Sequence, residues 1–140
     1  MNQQTGATVV KFVSYILFIN VFIWGSAAFA PIDFIGRFYL DLLHWPVGDG
    51  LPVYNQNLAW LSGIGAGLLA ALGVVYLRIV YPAVREGNLA IIKSTIIAGV
   101  VWFLVDSAGS IAAGVPANAV INAITLIPLI GPLIITKIER

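Results

Sequence analysis

Asp106 stands inside an apolar run long enough to cross a bilayer, Trp102-Phe103-Leu104-Val105-Asp106-Ser107-Ala108-Gly109-Ser110. A carboxylate near the centre of a membrane helix costs roughly 2.5–3.5 kcal/mol on insertion scales, so it must face protein or water and find a partner. Ser110 lies one helical turn further along the same face. Asn118, Asn122 and Thr125 share a face of the next apolar segment, at offsets 0, 4 and 7. A hairpin turning near Val115–Pro116 puts Asp106 level with Thr125, and Ser110 level with Ile121, beside Asn122. Asp106, Ser110, Asn118, Asn122 and Thr125 are therefore expected to converge in the outer half of the bilayer. No basic residue falls within the spans at that depth. The acid is then protonated, hydrogen-bonded to the Asn and Ser groups, or reached by Arg37 from a neighbouring segment. Two roles stay open for it: a carboxylate that handles a proton, an ion or a ligand, and a hydrogen-bond hub that locks the hairpin. A single acid without a second intramembrane charge makes a poor relay.

A second polar set lies at Asp33, Arg37, Asp41 and His44, at offsets 0, 4, 8 and 11, which is one helical face. Asp33–Arg37 and Arg37–Asp41 have ion-pair spacing. Asp41-x-x-His44 has a carboxylate–histidine spacing that suits a metal, but a di-metal bundle needs that motif twice with two further carboxylates. His44 is the sole histidine. No metal and no cofactor are expected, and a polar stripe facing lipid headgroups is the preferred reading. The glycines of Gly63-Ile64-Gly65-Ala66-Gly67 follow no strand and precede no P-loop lysine. There is no G-x-S-x-G elbow. The chain has no cysteine, which removes thiol catalysis, disulfides and thiolate metal sites. An enzymatic role is not expected.

The elements that must position these residues are membrane spans. Hydrophobic residues make up 60% of the 140-residue chain and charged residues 9%, against about 25% charged in a soluble domain. Mean hydropathy is +0.98, too apolar for a water-coated surface. Net charge is +1 and no basic cluster with stacking aromatics exists, so nucleic acid is not an expected partner. The pattern predicts an all-α membrane protein forming one domain over residues 1–140. Spans are expected at about 9–30, 58–80, 89–113 and 117–136, each near the 20 residues a bilayer needs. Gly114-Val115-Pro116-Ala117 reads as the last turn, and Pro128 and Pro132 should kink the final span.

Pro31 to Trp45 reads as a short amphipathic helix in the outer interface. Ile35, Phe38, Tyr39, Leu42 and Trp45 lie largely away from the polar stripe, at headgroup depth. Val47 to Pro52 is turn-rich and returns the chain to the second span. Trp45, Tyr54 and Trp60 on the outside, and Tyr76 and Tyr81 on the inside, are candidate belt aromatics. Ala28-Phe29-Ala30 after an apolar core also suits a signal-peptide cleavage site, but Pro31 would follow the cut and argues against processing. Six of the seven basic residues, Lys11, Arg78, Arg85, Lys93, Lys137 and Arg140, fall on one side, and Arg37 stands alone on the other. Both termini are expected in the cytoplasm of a bacterium, with the protein in its inner membrane.

Small residues prepare helix contacts. Gly63-x-x-x-Gly67 on the second span and Gly109 among Ala108, Ala112 and Ala113 on the third let backbones approach. The second and third spans are expected to pack around Asp106. Three blocks carry a resemblance: Phe38-Tyr39-Leu40-Asp41-Leu42-Leu43-His44-Trp45-Pro46; Leu61-Ser62-Gly63-Ile64-Gly65-Ala66-Gly67-Leu68; and Trp102-Phe103 with Asp106-Ser107-Ala108-Gly109-Ser110-Ile111-Ala112, Gly114, Pro116, Asn118-Ala119 and Asn122. They resemble a family of uncharacterised small bacterial four-span membrane proteins. The resemblance implies the topology and supplies no reaction, ligand or partner. The expected function is that of a non-enzymatic membrane protein, self-associating or an accessory subunit of a larger complex, surrounded by lipids. The alternatives are a small transporter or channel using Asp106, and a lipid or quinone binder between the interfacial helix and the second span.

Overall fold

Asn2 starts the first helix: its side chain accepts the Thr5 N–H at 2.8 Å and satisfies one of the free donors of the first turn. The helix that follows, α1, runs Gln3–Gly25 and continues into a 3-10 turn at Ser26–Ala28. It begins earlier than the hydropathy predicts, because capping extends regular backbone through the polar residues Gln3 to Thr8. A computed structural model describes residues 1–44 and 50–138. Trp45, the first half of the turn-rich segment (Val47 to Asp49) and Arg140 lie outside the described residues.

Helix α2 is Asp33–Leu43, and α3 is Gln56–Val75, capped by Asn55. A five-residue π turn, Tyr76–Val80, joins α3 without a break to α4, Tyr81–Glu86. Helix α5 is Leu89–Ala112, and α6 is Pro116–Ile135, continuous through Pro128 and Pro132. Four stretches, Gln3–Ala28, Gln56–Glu86, Leu89–Ala112 and Pro116–Ile135, are long and apolar enough to cross a membrane. The architecture is that of a multi-pass membrane protein, with a short helix between the first two spans.

Two helix reversals use the same device. At Gly87 the φ is 71°, the Asn88 N–H returns to the Ala83 carbonyl, and Asn88 then caps α5. At Gly114 the φ is 79° and the Val115 N–H returns to the Ser110 carbonyl. Both are glycine-terminated helix ends whose left-handed residue frees the chain to reverse within a few residues.

Helix α1 is central. It packs along α3 and also meets the π turn, α4 and α6, while α5 packs chiefly on α6. The buried apolar core joins Val10, Val13 and Leu17 of α1 to Tyr76, Val80 and Val84, with Ile92 of α5 and Leu129 and Leu133 of α6. These residues lie toward the end that carries both termini and α4. There the Met1 ammonium donates to the Ile135 carbonyl, the Lys137 N–H to the Met1 carbonyl, and Gln3 to the Arg85 carbonyl. Toward the α2 end, α3 and α5 do not pack together.

Candidate functional site

The polar cluster of the last hairpin forms between α5 and α6. Asp106 Oδ1 accepts from Ser110 Oγ at 3.2 Å, Asn118 Nδ2 at 3.1 Å and Asn122 Nδ2 at 3.0 Å. Asn118 also donates to Ser110 Oγ at 2.8 Å, and Asn122 to Ser107 Oγ at 3.4 Å. Three donors on one oxygen replace much of the hydration a carboxylate loses in lipid. Asn122 and Ser107 are buried, whereas Asp106, Ser110 and Asn118 are half-buried. Six residues separate Asp106 from the end of α5, a depth of about 9 Å at helical rise.

Thr125 makes no hydrogen bond to this cluster. The reason is register. The structure ends α5 at Ala112 and starts α6 at Pro116, so the hairpin turns about Gly114 rather than Val115–Pro116. That shift of almost one helical turn brings Asn122 and Asn118 to Asp106 and drops Thr125 below them. Ser107 joins the network in its place. Arg37 is not the partner of Asp106: its Nε lies 2.8 Å from Asp33 Oδ2, and its Nη1 donates to the Pro52 carbonyl at 3.2 Å.

The second span does not close over Asp106 either, which corrects the expected packing of spans two and three. Nothing lies within 4 Å of where a Cβ would stand at Gly67 or Gly109, and Gly63 meets only the Ala28 Cβ at 3.9 Å. The close approaches occur elsewhere. A Cβ at Gly65 would meet the Trp24 ring, one at Gly73 the Phe18 ring at 3.1 Å, and one at Gly99 the Ile130 side chain at 2.6 Å. Neighbouring aromatics and β-branched residues select these glycines, and sequence spacing alone does not reveal them.

The α2 stripe turns the other way from the headgroup-facing orientation expected. Asp33, Gly36 and Asp41 are buried and Arg37 is half-buried, while Phe34, Ile35, Phe38 and Leu42 are exposed and His44 closes the helix in the open. The polar side is used by the protein: Arg37 pairs with Asp33 within α2 and ties the helix to the Pro52 carbonyl, in the segment that returns to α3. The apolar side is left for lipid. Gly36 makes this possible, because a Cβ there would collide with the backbone of Ala27. Among the described residues no group of three His, Asp or Glu side chains is placed to hold a metal ion.

Other polar side chains in the spans turn back on their own helices. Ser14 donates to the Lys11 carbonyl, Asn20 to Ile16, Ser26 to Ile23 and Thr95 to Ile91. Tyr76 is different. It is 2% exposed rather than a belt residue, and its hydroxyl donates to the Leu129 carbonyl at 3.2 Å across the bundle. Tyr76 also lines an apolar groove of about 450 Å³ between the π turn and α5, shared with Ile79, Ile91, Thr95, Trp102 and Leu129. No family model, curated protein or solved structure matches this chain, so the family resemblance is unaccompanied by a match and the four-span architecture stands on its own.

Proposed function

We propose that this is a non-enzymatic component of a membrane assembly, joining a second copy or a larger complex through the small-residue faces left bare on α3 and α5. The observation that carries the reading is the open space over Gly67 and Gly109 beside exposed Ala108 and Ala112, while Asp106 is already engaged by α6. In lipid, helices associate by close packing and hydrogen bonds rather than by hydrophobic transfer, and small residues permit that approach. The bacterial inner membrane, with both termini cytoplasmic, is the setting that the charge bias supports.

Fluorescence energy transfer between labelled copies in vesicles at low protein-to-lipid ratio tests it. Gly109→Ile and Gly67→Ile should lower transfer at least fivefold while leaving the thermal midpoint of the protein unchanged. A wild-type chain that shows no transfer, and no foreign subunit after mild solubilisation, ends the reading. The chain lacks cysteine, so Gln4→Cys and Val53→Cys report sidedness directly: only the former should be shielded from an impermeant reagent added outside.

A second reading, a small transporter or channel in which Asp106 lines a polar path, is favoured by the half-exposure of Asp106. The hydrogen-bonded chain from Asn118 to Asn122 weighs against it, since below that chain α6 offers Thr125 alone on the same face before Leu126 and Leu129. Asp106→Asn should abolish flux across reconstituted vesicles if this second reading holds. The third alternative, a lipid or quinone between α2 and α3, has a rival place in the apolar groove beside Tyr76.

A further inference from the structure

Two cations converge on one ring at the end of the bundle that carries the termini. Lys11 Nζ lies 5.7 Å from the centroid of Tyr81, and Arg85 Cζ lies 5.6 Å from it. Arg85 Nη1 also approaches the Tyr81 hydroxyl at 3.4 Å. A ring face attracts cations but carries no net charge to neutralise them. Among the described residues no ion pair to either cation is seen, and the Asp33–Arg37 pair lies in α2. The neutral ring gathers two positive charges at one end of the bundle, and an anion bound beside them would supply the missing counter-charge.

The surroundings give the anion's class. Arg85 also borders an open polar recess of about 430 Å³ with Asn2, Gln3 and Gln4, which supply amide groups. Gln4 and Lys11 are seven residues apart and so share a face of α1. Phe12, adjacent to Lys11 in α1, and Tyr15, one turn further along the Lys11 face, are 62% and 46% exposed. A ligand that suits both has a phosphate at one end and hydrocarbon at the other. We infer that Lys11, Tyr81 and Arg85 form a binding site for the phosphodiester headgroup of an anionic phospholipid, whose acyl chains run along Phe12 and Tyr15. Arg85 offers a planar fork to the phosphate oxygens and Lys11 a point charge. The site requires only the membrane-spanning architecture, and it does not depend on self-association.

Native mass spectrometry of the full-length protein, titrated with phosphatidylglycerol or phosphatidylcholine, tests the site. Wild-type protein should prefer phosphatidylglycerol by roughly tenfold to thirtyfold, from two basic residues beside one anionic headgroup. Lys11→Gln with Arg85→Gln should erase that preference, and Lys93→Gln, on α5, should leave it intact. Inorganic phosphate at millimolar concentration should not displace the lipid. Equal affinity for the two lipids overturns the proposal, as does a preference that survives the double substitution. Displacement by inorganic phosphate alone overturns it in favour of a free-anion site. If the double variant does not fold, two further measurements decide. The wild-type preference should collapse as salt rises, and Lys11→Arg should retain it; a salt-insensitive preference rejects the site.

Discussion

The amino-terminal half and the α5–α6 hairpin hold together by different means. In the first, α1, α2 and α3 meet through steric fit. Gly25 faces the Ala66 side chain, Gly65 receives Trp24, Gly73 receives Phe18, and Gly36 lies on the backbone of Ala27. Ser14 and Asn20 of α1 are satisfied within their own helix. In the second, α5 and α6 share a hydrogen-bonded clamp around Asp106, with one tight apolar contact at Gly99. The contrast illustrates two solutions to one problem. Lipid offers no hydrophobic gain for bringing helices together, so association rests on dispersion between closely fitted surfaces or on polar groups that lipid cannot satisfy.

Five changes break or sharpen this contrast. The largest effect is expected from Gly36→Ala. The added methyl meets backbone, which cannot rotate away, and overpacking of this kind should cost about 3 kcal/mol. Unfolding in mixed micelles should show the loss, with amide exchange rising in α2. Asp106→Ala comes next. It removes one acceptor from each of the Asn118 and Asn122 amides, leaving them Ser110 and Ser107, at about 2 kcal/mol if each lost interhelical bond contributes a typical membrane value. Exchange should rise in α5 and α6 and stay constant in α1 and α3; an equal rise in all four would erase the distinction between the halves. Asp106→Asn, which keeps an acceptor, should recover more than half of that stability.

Tyr76→Phe joins the two halves in one experiment, because its hydroxyl bonds the Leu129 carbonyl across the core. Its removal should cost about 1 kcal/mol, read as a lower thermal midpoint in detergent. Thr125→Val should change stability by less than about 0.5 kcal/mol. A cost near that of Asp106→Ala would mean that the hairpin register places Thr125 in the clamp after all.

Much of the architecture was legible in the residues. The four apolar runs, the short helix between the first two, and the grouping of Asp106 with Ser110, Asn118 and Asn122 follow from hydropathy and helical periodicity. Thr125 was misplaced because the turn was set a residue or two too late, and a hairpin doubles any such error when partners are matched across it. The polar stripe of α2 was found, but its direction was reversed. Periodicity shows that polar residues share a face and cannot show whether that face meets water or protein. The small-residue motif on the second span pointed to Gly63 and Gly67, whereas the contacts formed at Gly65 and Gly73, where Trp24 and Phe18 happen to arrive.

By itself, then, the sequence determined how many helices are long and apolar enough to cross a membrane, where each begins and ends to within about two helical turns, and that Asp106 requires partners. Those properties depend on composition and local periodicity, which each segment carries without its neighbours. Only the tertiary structure decided that α1 sits at the centre, that α3 and α5 part toward the α2 end, that Tyr76 is core rather than belt, and that Lys11 and Arg85 meet over Tyr81. Each of those depends on the rotation and register of one helix against another. In a chain whose spans are apolar on nearly every side, no amphipathic stripe specifies that rotation, and it is settled by the few glycines, aromatics and polar side chains that must find one another.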